Sequence, residues 1–372
     1  MIPIWKLKRE LKRLTDQLIG LPRTIATLPR RFREPQLRRA HDAAFPGNLR
    51  ITAGDVAAGG RLAVVVVFQP KGLAASTFET CENLRHGGYS PLVMSNAPLS
   101  DSDTARLAKS CWRVVSRPNF GYDFGAYRDG MRLIRQAGIS PDQVILMNDS
   151  FWSDLTPALL NRVKAQQADL FGLLQDEKVK HDTRGGTQTS RMHIESYFLV
   201  VSGQLWRSAV FEQFWHNYPM TDIKPKTIRH GEIGFSRAMA DAGYHLAALT
   251  SRDAFLTQLA RFDATELQQV LAYASYDDAT FEAEAGDLLA RAPDQPEWRA
   301  AVLDHIRRWV NRRRFNAAYP LASAKIFGTS FVKKSNEPIF RAARRSYLNA
   351  VNAGLIAPPS AVILSEIERA KN

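Results

Sequence analysis

Residues Arg61 to Phe68 read RLAVVVVF, with four consecutive valines between a charged residue and an aromatic one. β-Branched side chains are stiff at χ1 and crowd the preceding turn of a helix. The run is too short for a buried helix and apolar at every position from Leu62 to Phe68, so it predicts a strand covered on both faces. A helical stretch around Thr77 to Arg85 follows, then a strand in SPLVMSN, a helix near Asp103 to Ser110, a strand in CWRVVS and a fourth in DQVILMND from about Gln143. Strand and helix patterns in alternation predict an α/β fold. Its expected form is a Rossmann-like, mostly parallel sheet with right-handed crossovers, flanked by helices.

In open sheets of this kind, ligands bind beyond the carboxyl ends of the strands. The unusual residues fall there: Gln69, Pro70 and Lys71 after the first strand, Ser95 and Asn96 after the second, Arg117 to Asp123 after the third, Asn148 to Ser150 after the fourth. The segment NFGYDFGAYRDG, Asn119 to Gly130, mixes glycines, aromatics and acids in a way that suits no single element. It predicts a strand-to-helix turn with the helix starting near Phe124. Asn119 and Asp123 are expected to accept hydrogen bonds from first-turn amides, Gly121 to supply a positive φ, and Gly125 to admit a ligand or a neighbouring backbone. A helix N-terminus aimed at the strand ends attracts phosphate. The segment carries neither GxGxxG nor a P-loop lysine, which removes the main support for dinucleotide or NTPase chemistry. A tight turn whose aromatics merely fill core is the other outcome.

Asp149 stands where an apolar strand meets solvent, so a hard divalent cation, Mg²⁺ or Mn²⁺, bridging a diphosphate is expected at it, with Asn148 and Ser150 adding neutral oxygens. The alternative for Asn148-Asp149-Ser150 is a turn cap.

The chain has 372 residues, 45% of them hydrophobic, enough for a large core, and its longest apolar run, about Leu62 to Phe68, is far short of a bilayer span. A net charge of +13 favours polyanionic partners without choosing among nucleic acid, anionic lipid and phosphorylated substrate. The 2 cysteines, Cys81 and Cys111, sit in no zinc pattern and cannot build a disulfide framework. Basic residues crowd the first 39 positions, where Ile4, Trp5, Leu7, Leu11, Leu14, Leu18 and Leu21 recur at helical spacing. That pattern predicts an amphipathic helix lying on an anionic membrane or packed on the body of the protein. The division expected is a basic arm (1–48), a catalytic domain (49–252) and a helical extension (253–372). With no signal-peptide pattern, the expected location is the cytoplasm, peripheral to the inner face of the membrane.

The series RPNFGYDFGAYRDGMRLI, VILMNDSFWSDLTP, HIESYFLVVSGQLW and HGEIGFSRAMADAGYHL resembles the rhamnan synthesis protein F family. It is similar, more broadly, to family-2 glycosyltransferases of GT-A fold, and NAAYPLASAKIFGTSFVKKS from Asn316 is similar to a later family segment. The resemblance implies a nucleotide-sugar donor over the sheet edge, its base near Phe68 and Asn96. The diphosphate would lie near Asn119, Gly121, Tyr122, Asp123 and Asp149. Read from the residues alone, Arg128 and Arg184 are candidates to neutralise it, with plain surface arginines as the commoner outcome. It also implies a glycan or lipid-linked oligosaccharide acceptor, a deoxyhexose such as rhamnose, and inversion at the sugar carbon. The usual DxD pair is reduced here to Asn-Asp-Ser, which leaves metal dependence open, and the usual Glu-Asp pair to Glu232 followed by Ile233.

Glu232 is the expected base for the acceptor hydroxyl, in the first turn of a helix ending before Gly243; a carboxylate complementing the helix dipole is the alternative. His193, Glu195 and Tyr197 are placed at the start of one strand, facing the acceptor, with Glu195 the reserve base. His193 has an equal claim to a structural role. Asp176 and His181 to Gly186 are expected in a polar loop that closes over the donor. A nucleic-acid-binding protein and a catalytically silent scaffold of the same fold are the competing functions. Acids at Asp123, Asp129, Asp149 and Glu232 repel a polyanion, so no nucleic-acid partner is expected.

Overall fold

The computed structural model describes residues 33–181, 188–295 and 297–371. Its centre is a 9-stranded sheet built from β1 (Arg50–Ala53), β2 (Arg61–Val67), β3 (Ser90–Ser95), β4 (Arg113–Ser116), β5 (Gln143–Asn148), β7 (Leu170–His181), β8 (Gln188–Ile194), β9 (Phe198–Ser202) and β10 (Leu246–Ser251). The order is β1-β4-β3-β2-β5-β9-β7-β10, with β8 paired to β7. β2, β3, β4, β5, β7 and β10 point one way and β1, β8 and β9 the other, so the sheet is mostly parallel. A short strand, β6 (Phe151–Ser153), pairs separately with β11 (Phe331–Lys333).

The valine run is β2, at the middle of the sheet, and it divides the core. Ala63, Val65 and Val67 pack into one apolar cluster and Leu62, Val64 and Val66 into another on the opposite face. A helix spans 33–44 and is labelled α1. α2 (Ala75–His86), α3 (Asp101–Ala108) and α5 (Pro157–Lys164) cover the first face, α4 (Tyr122–Gln136) the second. The chain steps from β2 out to β4 with its helices on one face. It then returns across to β5 through α4 on the other face, as right-handed crossovers require when the direction of travel reverses. That reversal falls between β2 and β5.

The second face is completed by α6 (Gly203–Trp206), α7 (Ala209–Asn217), α8 (Lys224–Thr227) and α9 (Gly234–Asp241), with a π-helical turn, Ile228–Ile233, ahead of α9. From Arg252 the chain is helical: α10 (Arg252–Leu259), α11 (Ala264–Ala272), α12 (Ala279–Ala290), α13 (Trp298–Val310), α14 (Phe315–Ala318), α15 (Pro320–Phe327), α16 (Pro338–Asn352) and α17 (Ala361–Arg369). Trp298, Trp309, Phe315 and Tyr319 from these helices join the core cluster that holds Val65 and Val67. The C-terminal part therefore shares the first face of the sheet. Glu366 on α17 ties it down, accepting from Ser76 N at 2.9 Å, Ser76 Oγ at 2.6 Å and Trp152 Nε1 at 2.7 Å.

Several expectations change. HIESYFLVV is two elements: β8 ends at Ile194, Glu195 to Tyr197 interrupt the strand, and β9 starts at Phe198; both run antiparallel along β7, and the interruption shifts the register between them. Asp176 is in β7, opposite His193, and not in a loop; Asp182 to Gly186 lie outside the described residues. The proposed helix around Ile4 to Leu21 also lies outside them. The adjoining α1 packs on the body, with His41 buried against Asp129. Cys81 and Cys111 are buried free thiols. Among the described residues no helix is long and apolar enough to cross a membrane.

Candidate functional site at the strand ends

The turn after β4 is held from beneath. Arg117, buried, donates from Nε to Asp129 Oδ2 at 2.9 Å, from Nη1 to Asn96 Oδ1 and from Nη2 to the carbonyl of Phe120 at 2.7 Å. Asp129, fully buried on α4, also meets His41 Nε2 at 2.9 Å. Removing an arginine–carboxylate pair from water is costly unless the remaining donors and acceptors are matched, as they are here. Gly121 has φ +82° and Tyr122 φ +51°, so two successive left-handed residues swing the chain into α4. A non-glycine residue in that region is uncommon and is held by its surroundings; the Tyr122 hydroxyl donates to the carbonyl of Asp222 at 2.8 Å. Gly125 is needed because a Cβ there would lie 2.3 Å from the Phe120 carbonyl oxygen.

This geometry corrects the expected capping. Gly121 is the N-cap of α4 and no side chain caps it, so Asn119, which is exposed, does not accept from the first turn. The helix begins at Tyr122, two residues early. Asn96 is occupied by Arg117, and Arg128 by Asp42 at 2.6 Å and by the Trp215 carbonyl at 3.0 Å.

Above this base, the ends of β2, β5 and α4 meet. Asp149 Oδ2 accepts from the Phe68 amide at 3.1 Å and from Gln69 Nε2 at 2.8 Å. Asn148 donates to Asp123 Oδ2 at 2.8 Å, while its own oxygen accepts from the amide and hydroxyl of Ser150. The aspartate of the glycine-bearing turn and the aspartate of the strand end thus lie side by side at the reversal between β2 and β5. Burial, then the charge of Asp149, push the Asp123 carboxyl up to about 6 against the Asn148 bond and Lys224. Phe68 is 51% exposed at the same edge, an aromatic face left open to solvent.

Beside them is a second acidic group. Glu232 is on the π-helical turn rather than in the first turn of α9; such turns recur at functional sites. Gly231 allows this turn to press on α4, since a Cβ there would lie 2.6 Å from the Phe124 ring. Glu232 Oε2 accepts from the Ser196 hydroxyl at 2.7 Å and its amide at 3.2 Å. His193 Nε2 sits between two carboxylates, 3.6 Å from Glu232 and 3.8 Å from Glu195. Burial alone would raise the Glu232 carboxyl, but His193 and the Ser196 donors overcome it and hold it at about 2. Glu195 is pushed the other way, to about 7, by burial and by the charge of Glu232, against the pull of Arg314. His193 is lowered by burial and raised further by Glu232, Glu195 and Asp176, with a net upward shift. Tyr197 stacks on Phe151 with centroids 4.0 Å apart, packing the floor of the turn.

Arg314, Lys333 and Lys334 were not legible as site residues. Arg314 contacts Glu195 and lies 3.7 Å from Asp176. Lys334 follows β11, its amide bonded to the Ser150 carbonyl at 2.9 Å, and it lines a small cavity with Asn148 and Asp149. Burial lowers its pKa, with Asp149 and Glu366 pulling it back up. The only advance signal was the NAAYPLASAKIFGTSFVKKS segment, which contains both lysines.

The oxygen set of Asp149, Asp123, Asn148 and Ser150 fits a hard divalent cation, which takes carboxylate and neutral oxygen ligands. Asp149 and Glu232 both bear on the buried Asp123 carboxyl, so negative charge gathers at this point, with Lys224 as the opposing cation. Asp176, His193 and Glu195 also offer ligand atoms within 4.8 Å of one another. There, however, the Arg314 guanidinium already supplies the positive charge.

The fold is that of an α/β protein, and it places an oxygen-rich, acidic candidate site at the switch point of its sheet. A model of the rhamnan synthesis protein F family matches residues 92–266, which supports the resemblance drawn from the sequence. The chain is also similar to "Uncharacterized protein y4gN" of Sinorhizobium fredii (strain NBRC 101917 / NGR234), at 26% identity over 99% of this chain and 92% of that one. Phe68, Arg314, Lys333 and Lys334 lie outside the family match.

Proposed function

We propose that the protein is a glycosyltransferase of polysaccharide synthesis, moving a sugar, rhamnose or another deoxyhexose, from a nucleotide-sugar donor to a growing cell-surface polysaccharide with inversion. The observation that supports this best is the meeting of Asp149, Asp123 and exposed Phe68 where the strand order reverses, with Glu232 and His193 alongside. The family match agrees with a role in rhamnan synthesis.

In this reading Phe68 stacks on the donor base, and the diphosphate lies toward Asp149 and Lys334. Asp149, with Asn148, Ser150 and Asp123, would hold Mg²⁺ or Mn²⁺, which when bound neutralises charge on a departing diphosphate. Glu232, the more exposed of the two glutamates, takes the proton from the acceptor hydroxyl as that oxygen attacks the sugar carbon. His193 Nε2, 3.6 Å from Glu232 and 3.8 Å from Glu195, would support this step by favouring the ionised form of Glu232, the form that accepts the proton. The turn Gly121–Tyr122 fixes Asp123 before substrate arrives. The net charge of +13 favours the surface of an anionic membrane, where a lipid-linked acceptor would be met.

Thermal shift with a panel of nucleotide sugars, with and without Mn²⁺, identifies the donor, and turnover of Glu232→Gln is then compared with Glu195→Gln. The expected result is a loss of about 10²–10⁴-fold in kcat for Glu232→Gln. Glu195→Gln should retain more activity with an altered pH profile. Near-full turnover by Glu232→Gln, or no stabilisation by any nucleotide sugar, would rule the proposal out.

A further inference from the structure

Next to the acidic pair is a cationic hollow of about 390 Å³, lined by Arg312, Arg313, Arg314 and Lys333 against the carboxylates of Asp277 and Glu337. A second hollow of about 190 Å³, on the Asp176 side, shares the same three arginines. Arg312 contacts Asp278 at 3.3 Å and Arg313 contacts Asp277 at 2.8 Å, while Arg314 contacts Glu195 and lies 3.7 Å from Asp176. Five N–H donors per arginine leave most of the fork free for another anion. Lys333 is different. Its ammonium is half-buried over the rings of Phe340 (4.7 Å) and Phe151 (5.6 Å), and among the described residues no carboxylate comes within ion-pair reach.

An ammonium partly withdrawn from water without a counter-charge is unfavourable unless an anion completes it. Once the carboxylates these arginines already contact are counted, Lys333 is the cation of the lining left without an ion pair among the described residues, and the spare N–H groups of the arginines surround the same hollow. Planar guanidinium forks beside a point-charge ammonium are the usual means of gripping phosphate oxygens. Arg314 connects the hollow to Glu195, and the charges of Glu195 and Glu232 both reach Lys333. We infer that the hollow is the subsite for a phosphate group on the acceptor, which brings the acceptor hydroxyl to the glutamate pair. This assignment rests on the transferase reading above.

The test is calorimetric titration of the full chain with inorganic pyrophosphate, with a short-chain prenyl diphosphate and with the donor nucleotide sugar, for the wild type, Lys333→Met and Arg313→Gln. Lys333→Met keeps an apolar stem on the two rings, and matching melting temperatures establish that both variants fold. Both are expected to bind pyrophosphate and prenyl diphosphate at least tenfold more weakly while binding the nucleotide sugar as the wild type does. Tighter binding of the prenyl form than of pyrophosphate assigns the phosphate to a lipid carrier; equal binding assigns it to a soluble glycan phosphate. Undiminished anion binding by both variants overturns the inference, and an equal loss of nucleotide-sugar binding overturns it by moving Lys333 to the donor. If the wild type binds pyrophosphate through Lys333 but no nucleotide sugar, the transferase reading fails and the acceptor role falls with it.

Discussion

Asp123 and Asp129 stand six residues apart on one helix and come from one short motif, yet their surroundings are opposite. Asp129 is sealed from solvent, with the Arg117 guanidinium and the His41 ring both against it. Asp123 faces a neutral amide and two other acids, and its carboxyl is pushed up to about 6. One aspartate is matched by a guanidinium in contact with it; the other is held by an amide among acids, with Lys224 opposing their charge. The contrast separates what holds the turn from what the turn presents.

The largest test of that contrast is Asp129→Asn. Taking away one partner of a buried pair leaves Arg117 uncompensated, so denaturant unfolding should show a loss of about 3–5 kcal/mol. A loss below about 1 kcal/mol would mean the clamp is not structural. Next comes Gly125→Ala, whose added Cβ would lie 2.3 Å from the Phe120 carbonyl. It is expected to cost about 1–3 kcal/mol and to weaken nucleotide-sugar binding by displacing the loop; normal stability and binding would show that the close approach is dispensable. The smallest effect is expected at Asp123. A folded carboxyl at about 6 binds its proton more tightly than the unfolded chain does, so ionisation works against the fold and stability falls as pH rises from about 4 through about 6. Asp123→Asn should therefore raise the melting temperature by about 1–3 °C at pH 8 and by nothing at pH 4. A decrease at pH 8 would show that the ionised form is stabilising after all.

Much of the frame could be read in advance because it is local. The valine run, the alternation through β5 and the positive φ of Gly121 follow from short-range sterics and periodicity. What escaped depends on distant pairing. Nothing near HIESYFLVV says that β7 will take both β8 and β9 as neighbours, so the break at Glu195 was invisible. Asn119 has the side chain of a cap, but two left-handed residues carry the helix start past it. Arg314 meets Glu195 from far along the chain, and no spacing rule connects them. Glu232 was found as a carboxylate near a helix start, while its π-helical setting, pressed against Phe124 from another helix, has no signature in the local sequence.

The pairing of β11 with β6 has a consequence in time. Synthesis delivers the acids first: a ribosome-bound chain that has emerged only as far as residue 330 already holds Asp123, Asp149, Glu195 and Glu232 but neither lysine. The four acids and Arg314 are thus made before the two lysines, which join the centre only once β11 has emerged to pair with β6.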